Sequence, residues 1–265
     1  MGAKGTSTRH RAPTARAPPR RVAPSAWATQ LLRELRHAAQ PSPGFDARAY
    51  LGSPVPVLGV RSPDLQRIAR QFDREHRDLP IVELQRVAGR LWQGRWFEER
   101  VLGTELLRRR PTRLDDATWR MLDRWIDSVS GWGLTDDLGG LMGEMVPGHP
   151  DRYRDLRTWS RSGNPWRRRA SLYALSRTIR SGDLDRALRL IDGIRSDPER
   201  WVQRAVGTWL RECWKVDARR TSAYLTRRAA DLAPVTLTVA TERASPRERE
   251  QLRARARAGR ATRRA

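Results

Sequence analysis

The sequence predicts an all-α protein in which paired helices stack into an extended superhelix, an α-solenoid. Two observations carry this prediction: apolar residues recur at helical spacing along most of the chain, and prolines interrupt that pattern at short intervals. Helices of about 10–16 residues repeated over roughly 200 residues suit stacked helical hairpins better than a closed four-helix bundle, which would run out of core positions. Since no clean sequence period is visible, the prediction rests on element lengths.

Five segments each place four apolar residues at positions i, i+3, i+4 and i+7, which is typical of one buried helical face. These sets are Leu65, Ile68, Ala69 and Phe72; Leu84, Val87, Ala88 and Leu91; Leu122, Trp125, Ile126 and Val129; Ala187, Leu190, Ile191 and Ile194; and Val202, Ala205, Val206 and Trp209. The boundary at Asp197-Pro198-Glu199 predicts a helix start with Asp197 as the N-cap. The segment 235–239 alternates like a strand, but a lone strand would lack a partner, so a helix or an extended linker is favoured.

The chain is strongly basic, with 53 Lys and Arg against 30 Asp and Glu among 265 residues and a formal net charge of +23. Residues 1–24 are rich in Pro and Arg without an acidic residue, which predicts a disordered basic arm. Residues 246–265 form an Arg/Ala-rich basic tail or a frayed helix. The helical domain at 25–245 keeps a surplus of basic residues, which suits a polyanion such as nucleic acid. A solvated surface from an Arg-rich proteome is the alternative.

Residue content disfavours several function classes. The single cysteine, Cys213, excludes a disulfide framework and a thiolate zinc cluster, and the four histidines lack metal-binding spacing, so we expect no metal and no cofactor. No apolar run approaches the roughly 18 residues of a membrane helix, and the N-terminus lacks the apolar segment of a secretory signal. The Arg-rich, acid-free start also resembles a transit peptide. We favour a soluble cytoplasmic protein, nucleoid-associated if bacterial.

Two segments combine aromatic and charged residues at helical spacing. Trp132 and Asp136 are four residues apart after a glycine, so a helix starting there puts both on one face; ordinary helix-start residues are the alternative. Trp166 and Arg169 are three apart at the start of another helix, where a solvated arginine run is the alternative. Aromatics beside arginines are typical of sites that bind sugars, bases or cations, although most of the eleven tryptophans are expected to fill the core.

A third segment predicts a basic helical stripe beside the apolar set that contains Trp209. Its members are Trp201, Arg204, Thr208, Arg211 and Lys215. Arginine and lysine bind phosphates and aromatics contact sugars or bases, so this stripe suits a helix lining a nucleic-acid groove. One basic stripe is weak evidence by itself.

Taken together, the motifs resemble the DNA alkylation repair family of AlkD-like HEAT-repeat DNA glycosylases, over roughly 50–245. The matching pieces are Tyr50-Leu51-Gly52, Leu58-Gly59-Val60-Arg61, Leu65-Gln66-Arg67-Ile68-Ala69, Phe97-Glu98-Glu99-Arg100, Trp132-x-x-x-Asp136, Asn164-x-Trp166-x-x-Arg169, and Gly207 with Trp209-Leu210-Arg211-Glu212. The resemblance implies a solenoid of HEAT-like repeats whose concave basic face binds duplex DNA. It also implies excision of N3- or N7-alkylated purines without a metal or redox cofactor and without flipping the lesion into a pocket.

The resemblance assigns three roles. Asp136 is the catalytic carboxylate, Trp132 the first aromatic wall, and Arg169 a phosphate contact; the basic stripe and Trp166 complete the predicted DNA-binding set. An alkylated purine is already a cationic leaving group, so a carboxylate near C1′ helps by stabilising the developing oxocarbenium ion. Asp137, adjacent to Asp136, leaves the register of this assignment open.

The sequence departs from the family at the second aromatic wall. The family has a tryptophan directly after the glycine, whereas Thr208 follows Gly207 here and Trp209 is displaced about 100° around the helix. We therefore expect Trp209 in the core and unable to serve as the wall. Trp201 shares the basic face but lies about two turns, on the order of 10 Å, from Thr208. The departure predicts weaker catalysis, a shifted substrate range or loss of excision.

Three functions remain as hypotheses. The leading one is a monomeric alkylpurine DNA glycosylase that acts on double-stranded DNA without an obligatory protein partner or a membrane. The second is a non-catalytic paralogue that binds damaged, bent or branched DNA. A helical scaffold for protein partners is the third, and it is disfavoured because such a groove need not be basic.

Overall fold

The computed structural model describes residues 23–262, which fold into α-helices with two short 3-10 helices and no strand within that range. The α-helices are α1 Pro24–Ala38, α2 Ala47–Leu51, α3 Ser62–Glu75, α4 Ile81–Trp92, α5 Phe97–Arg108, α6 Asp116–Ile126, α7 Trp132–Gly143, α8 Pro150–Trp159, α9 Pro165–Tyr173, α10 Ser176–Arg180, α11 Leu184–Ile194, α12 Arg200–Val216, α13 Ala218–Arg228, α14 Pro234–Ala240 and α15 Pro246–Thr262. The 3-10 helices are Pro111–Arg113 and Ala229–Asp231. The all-α prediction is confirmed.

The apolar sets identified from spacing form the helix faces of the core. All of their members are buried except Trp125, which is half-buried. The segment 235–239 lies in α14, so a helix forms there and the alternative of an extended linker is wrong. The predicted start of α12 is wrong by two residues: the helix begins at Arg200, because Asp197 bonds instead to the backbone N–H of Glu199 and to the Arg168 side chain.

The helices form two layers. In the first layer α5, α7, α9, α12 and α14 contact one another in that order, and helices of the second layer pack on them, as α6 does on α7, α8 on α9, and α11 and α13 on α12. Consecutive first-layer helices therefore present a continuous surface, and α7, α9 and α12 carry all of the predicted site residues.

Most tryptophans are structural, as expected from their size. Seven of the eleven belong to the core: five are buried, and Trp27 and Trp125 are partly buried and packed against it. Stacked indole pairs join successive helices of the second layer. Trp92 stacks on Trp125 with ring centroids 4.4 Å apart, and Trp119 stacks on Trp159 at 5.4 Å. These large flat side chains fill the gaps between helices of adjacent repeats.

The two basic ends differ in what the structure describes. Residues 1–22, nearly all of the predicted N-terminal arm, lie outside the described range, as do 263–265. Residues 246–262 form α15, which packs on Ala229–Asp231 and buries its Leu252 and Ala256 side chains. Its other face leaves arginines such as Arg253 and Arg255 exposed. No described helix is long and apolar enough to cross a membrane.

Candidate nucleic-acid interface

The start of α7 is fixed by a close approach of two backbone segments. Gly131 has φ +90°, and a Cβ there would lie 2.5 Å from the carbonyl oxygens of Leu51 and Gly52. Only glycine fits such a contact in that conformation. The contact seats the N-terminus of α7 on the end of α2 and thereby sets the position of Trp132, the first residue of α7.

The Trp132 indole is held by a residue 82 positions earlier. Its Nε1–H donates to the Tyr50 carbonyl oxygen at 2.6 Å, and the two rings meet edge to face with centroids 5.2 Å apart. Tyr50 is 57% exposed and contacts the equally exposed Phe45 at 5.5 Å. Trp132 therefore belongs to an aromatic cluster, Phe45–Tyr50–Trp132, that remains partly open to solvent.

Asp136 lies one helical turn after Trp132 and is paired with Arg169 of α9. The Nε and Nη2 groups of Arg169 donate to the two carboxylate oxygens at 2.6 and 2.7 Å, while 16% of the Asp136 side chain stays exposed. Burial raises the pKa of Asp136 above its ordinary value, and the hydrogen bonds and charge of Arg169 oppose that rise. The carboxylate is thus oriented by a fixed fork of donors.

Asp137 points to a different helix. Its carboxylate accepts hydrogen bonds from Arg108 at 2.6 Å and from the Thr104 hydroxyl, both on α5. Asp136 is therefore the member of the acidic pair on the same side as Arg169, and Asp137 ties α7 to α5.

Arg169 is largely engaged inside the protein. It is 5% exposed, and besides the two bonds to Asp136 it donates to the Trp201 carbonyl oxygen and, at 3.1 Å, to the Tyr173 hydroxyl. Four of its five N–H groups thus have partners within the chain. Although burial alone would lower the pKa of Arg169, its interactions with Asp136 raise it above the ordinary value. Little of this guanidinium remains for a phosphate.

The other two arginines of the run are also paired rather than solvated. Arg167 donates to Asp127 at 2.7 Å and to Asp123 at 2.5 Å, and Arg168 donates to Asp197 at 2.6 Å. These pairs fasten α9 to its neighbours. Trp166 precedes them in the first turn of α9, where its backbone N–H donates to the Asn164 side chain and its indole is half-buried.

The basic residues of the predicted stripe on α12 differ in whether they are paired with a carboxylate. Arg204 is exposed and has no ion-pair partner within 23–262, and the Thr208 hydroxyl donates to its carbonyl oxygen. Arg211 is paired with Glu242 at 2.5 Å, and Lys215 with Glu212 at 2.7 Å. The stripe therefore offers one unpaired cation beside Thr208 and two cations whose charge is shared with carboxylates.

Trp209 is a core residue, as its spacing predicts. It is 9% exposed, its ring meets Tyr173 edge to face at 5.3 Å, and its Nε1–H has no hydrogen-bond partner within the described chain. It does not reach the surface that Trp132 occupies.

Two contributors to the site were not assigned from the sequence. Tyr173 follows Arg169 by one helical turn, so helical spacing alone placed it on the same face. Burial raises its pKa far above the ordinary value, and the phenol stays protonated. Tyr50 stood within the family-like segment 50–52, but its contact with Trp132 depends on the packing of α2 against α7, which spacing does not reveal.

The site combines a buried, oriented carboxylate, a partly open aromatic cluster and an unpaired arginine on adjacent helices of a basic helical-repeat protein. No group of three or more His, Cys, Asp or Glu side chains able to hold a metal occurs in residues 23–262. The model of the family described as "DNA alkylation repair enzyme" matches residues 31–244. The chain belongs to this DNA alkylation repair enzyme family, and the resemblance seen in its motifs is confirmed.

Solved structures agree with this assignment at the level of the fold. A protein of Enterococcus faecalis, described as a predicted DNA alkylation repair enzyme, is 17% identical with a TM-score of 0.65 over 75% of this chain and 93% of its own. AlkD2 of Streptococcus mutans is 14% identical with a TM-score of 0.60 over 83% of this chain and 98% of its own. No protein of curated function is significantly similar in sequence.

Proposed function

We propose that this protein is an alkylpurine DNA glycosylase that hydrolyses the N-glycosidic bond of cationic N3- or N7-alkylated purines in duplex DNA. The bond between C1′ and the purine nitrogen breaks, its electron pair leaves with the base, and the alkylpurine departs neutral. The sugar becomes an oxocarbenium ion, which water captures at C1′ while losing a proton to solvent. The Asp136 carboxylate stabilises the cation and orients the water.

The Asp136–Arg169 pair, one helical turn from the Trp132 indole, is the observation that carries this proposal. An oriented carboxylate stabilises developing positive charge without reorganising during the reaction, and an aromatic face adds cation–π attraction. Arg169 acts as a positioning residue that fixes the Asp136 oxygens, with at most one N–H available for a phosphate. Burial raises the pKa of Asp136, but the permanent positive charge of Arg169 opposes that rise and favours the ionised carboxylate.

Duplex DNA is the proposed partner because the chain carries a formal net charge of +23 and the helices of the site present the unpaired Arg204. Phosphate contacts release counterions, so binding should fall steeply between about 50 and 200 mM salt. A protein-binding scaffold would lack this salt dependence. We propose that the protein acts as a monomer without an obligatory protein partner.

The test is an excision assay on duplexes that contain one 7-methylguanine or one 3-methyladenine. Free base released under single-turnover conditions is measured by chromatography, with an undamaged duplex and a protein-free reaction as controls. Base release above the spontaneous rate from either lesion supports the glycosylase. Absence of release from both lesions, at protein concentrations that saturate binding, defeats it.

The second candidate is a family member that binds damaged, bent or branched DNA without excising a base. Thr208 favours it, because the α12 position where the family has an aromatic wall carries a hydroxyl bonded to the Arg204 carbonyl. This candidate predicts salt-dependent binding with no base release from either lesion. The excision assay and a binding titration on the same duplexes therefore separate the two functions.

A further inference from the structure

Trp201 differs from every other tryptophan of the chain. All eleven lie within the described residues, and Trp201, in the first turn of α12, is the only one of them that is exposed, at 36%. Tryptophan is enriched at interfaces, because its large apolar ring carries a polar N–H group.

The Trp201 ring reaches the same backbone junction that positions Trp132. Its Cζ2 atom lies 3.9 Å from where a Cβ on Gly52 would stand, and the Gly131 Cα lies 3.6 Å from that same point. Gly131 directly precedes Trp132. The two indoles thus border one junction between α2 and α7, although they are 69 positions apart in the chain.

The backbone of Trp201 is tied to the catalytic pair from the other side. Its carbonyl oxygen accepts a hydrogen bond from Arg169, whose Nε and Nη2 groups donate to Asp136. Hydrogen bonds therefore join Asp136, one helical turn after Trp132, through Arg169 to the backbone of Trp201. The Trp201 ring lies beside Gly52, at the junction that also positions Trp132. The first turn of α12 is consequently held next to Asp136, a proximity that distance along α12 alone did not indicate.

We infer that Trp201 is the second aromatic residue that borders the substrate in this site. It is supplied from the start of α12 and replaces the aromatic residue expected at position 208, where this chain has Thr208. The inference rests on the proposed function and names a residue that recognises the positive charge of the substrate. Its indole offers a π face to the cationic sugar or base, an attraction strongest for tryptophan among the aromatic residues. The substrate class is a duplex nucleotide bearing positive charge at the sugar or the base.

The experiment compares Trp201→Leu, which keeps apolar bulk, with Trp201→Phe, which keeps an aromatic face. Trp27→Leu is the matched control, because Trp27 packs on Phe72 and His76 away from the site. Two quantities are measured: the single-turnover rate of 7-methylguanine release, and the affinity for a duplex with a protonated pyrrolidine sugar mimic relative to one with a neutral tetrahydrofuran sugar. Thermal unfolding of each variant confirms that it folds.

Native protein should prefer the cationic sugar mimic, and Trp201→Leu should lower both that preference and the release rate by about tenfold. Trp201→Phe should retain part of both, and Trp27→Leu should change neither. An unchanged preference and rate in Trp201→Leu overturns the inference even if native protein excises the lesion. If native protein prefers the cationic sugar mimic through Trp201 but excises no base, the inference is supported and the glycosylase proposal is defeated. If native protein shows neither the preference nor excision, the inference and the glycosylase proposal are both overturned.

Discussion

The guanidinium of Arg169 donates hydrogen bonds to both carboxylate oxygens of Asp136, at 2.6 and 2.7 Å. This pair joins α9 to α7 one helical turn from Trp132. Both side chains are largely withdrawn from water, so neither is a free surface charge. A carboxylate held this way is oriented before DNA arrives, which is the condition for stabilising a transient cation efficiently. The same pairing makes the site sensitive to changes in either partner.

Removing Arg169 should shift the acid limb of the excision profile. In the native protein burial raises the pKa of Asp136 and Arg169 opposes the rise. In the proposed mechanism excision needs the ionised carboxylate, so its rate should fall as pH drops through that raised pKa. Without Arg169 the pKa rises further, and the limb in Arg169→Gln should lie at higher pH than in native protein. Single-turnover rates across pH test this, and a limb that stays in place contradicts the positioning role.

Asp136→Asn should destabilise the fold, because it leaves the Arg169 guanidinium buried without a counter-charge. Breaking a buried pair in this way costs about 3 kcal/mol of unfolding free energy. Replacing both members, in Asp136→Asn with Arg169→Met, should recover most of that loss. Urea denaturation measures all three proteins. A single variant as stable as the native protein would show that the pair is effectively solvated.

Gly131→Ala should damage both stability and the site, because its Cβ would overlap the carbonyl oxygens of Leu51 and Gly52 at the end of α2. We expect a loss of roughly 3 kcal/mol, from the left-handed backbone and from overpacking, together with displacement of Trp132. Gly148 is a matched control: it has φ +78° with nothing within 4 Å of a Cβ, so Gly148→Ala should cost only about 1 kcal/mol. Equal losses in the two variants would remove the argument for a close approach.

Arg204→Ala should weaken binding to all duplexes and reduce the slope of log affinity against log salt by about 1, as expected for one lost phosphate contact. Arg154, on α8 of the second layer and paired with Asp151, supplies the control, and Arg154→Ala should leave the slope unchanged. Affinity titrations at several salt concentrations distinguish them. Equal effects of the two variants would show that binding follows net charge rather than the α12 surface.

The spacing of apolar residues along the sequence predicts the buried helix faces and the burial of Trp209, because both depend only on helical periodicity. It also placed Trp132 and Asp136 on one face of α7, because four residues make nearly one turn. It missed contacts that only tertiary packing creates, such as Tyr50 with Trp132 and Trp201 with Gly52. The predicted start of α12 is wrong for a related reason. Asp197 bonds to Arg168 on another helix as well as to the backbone N–H of Glu199, and the helix begins at Arg200.

The central claim is tested most directly by comparing Asp136→Asn with Asp137→Asn in single-turnover release of 7-methylguanine, at a temperature where both are folded. The two positions are adjacent on α7, but Asp137 bonds to Arg108 and Thr104 of α5. The account predicts that Asp136→Asn loses base release at least a hundredfold more than Asp137→Asn, on the order of an electrostatic transition-state contact, while both still bind duplex DNA. Equal release rates in the two variants would contradict it.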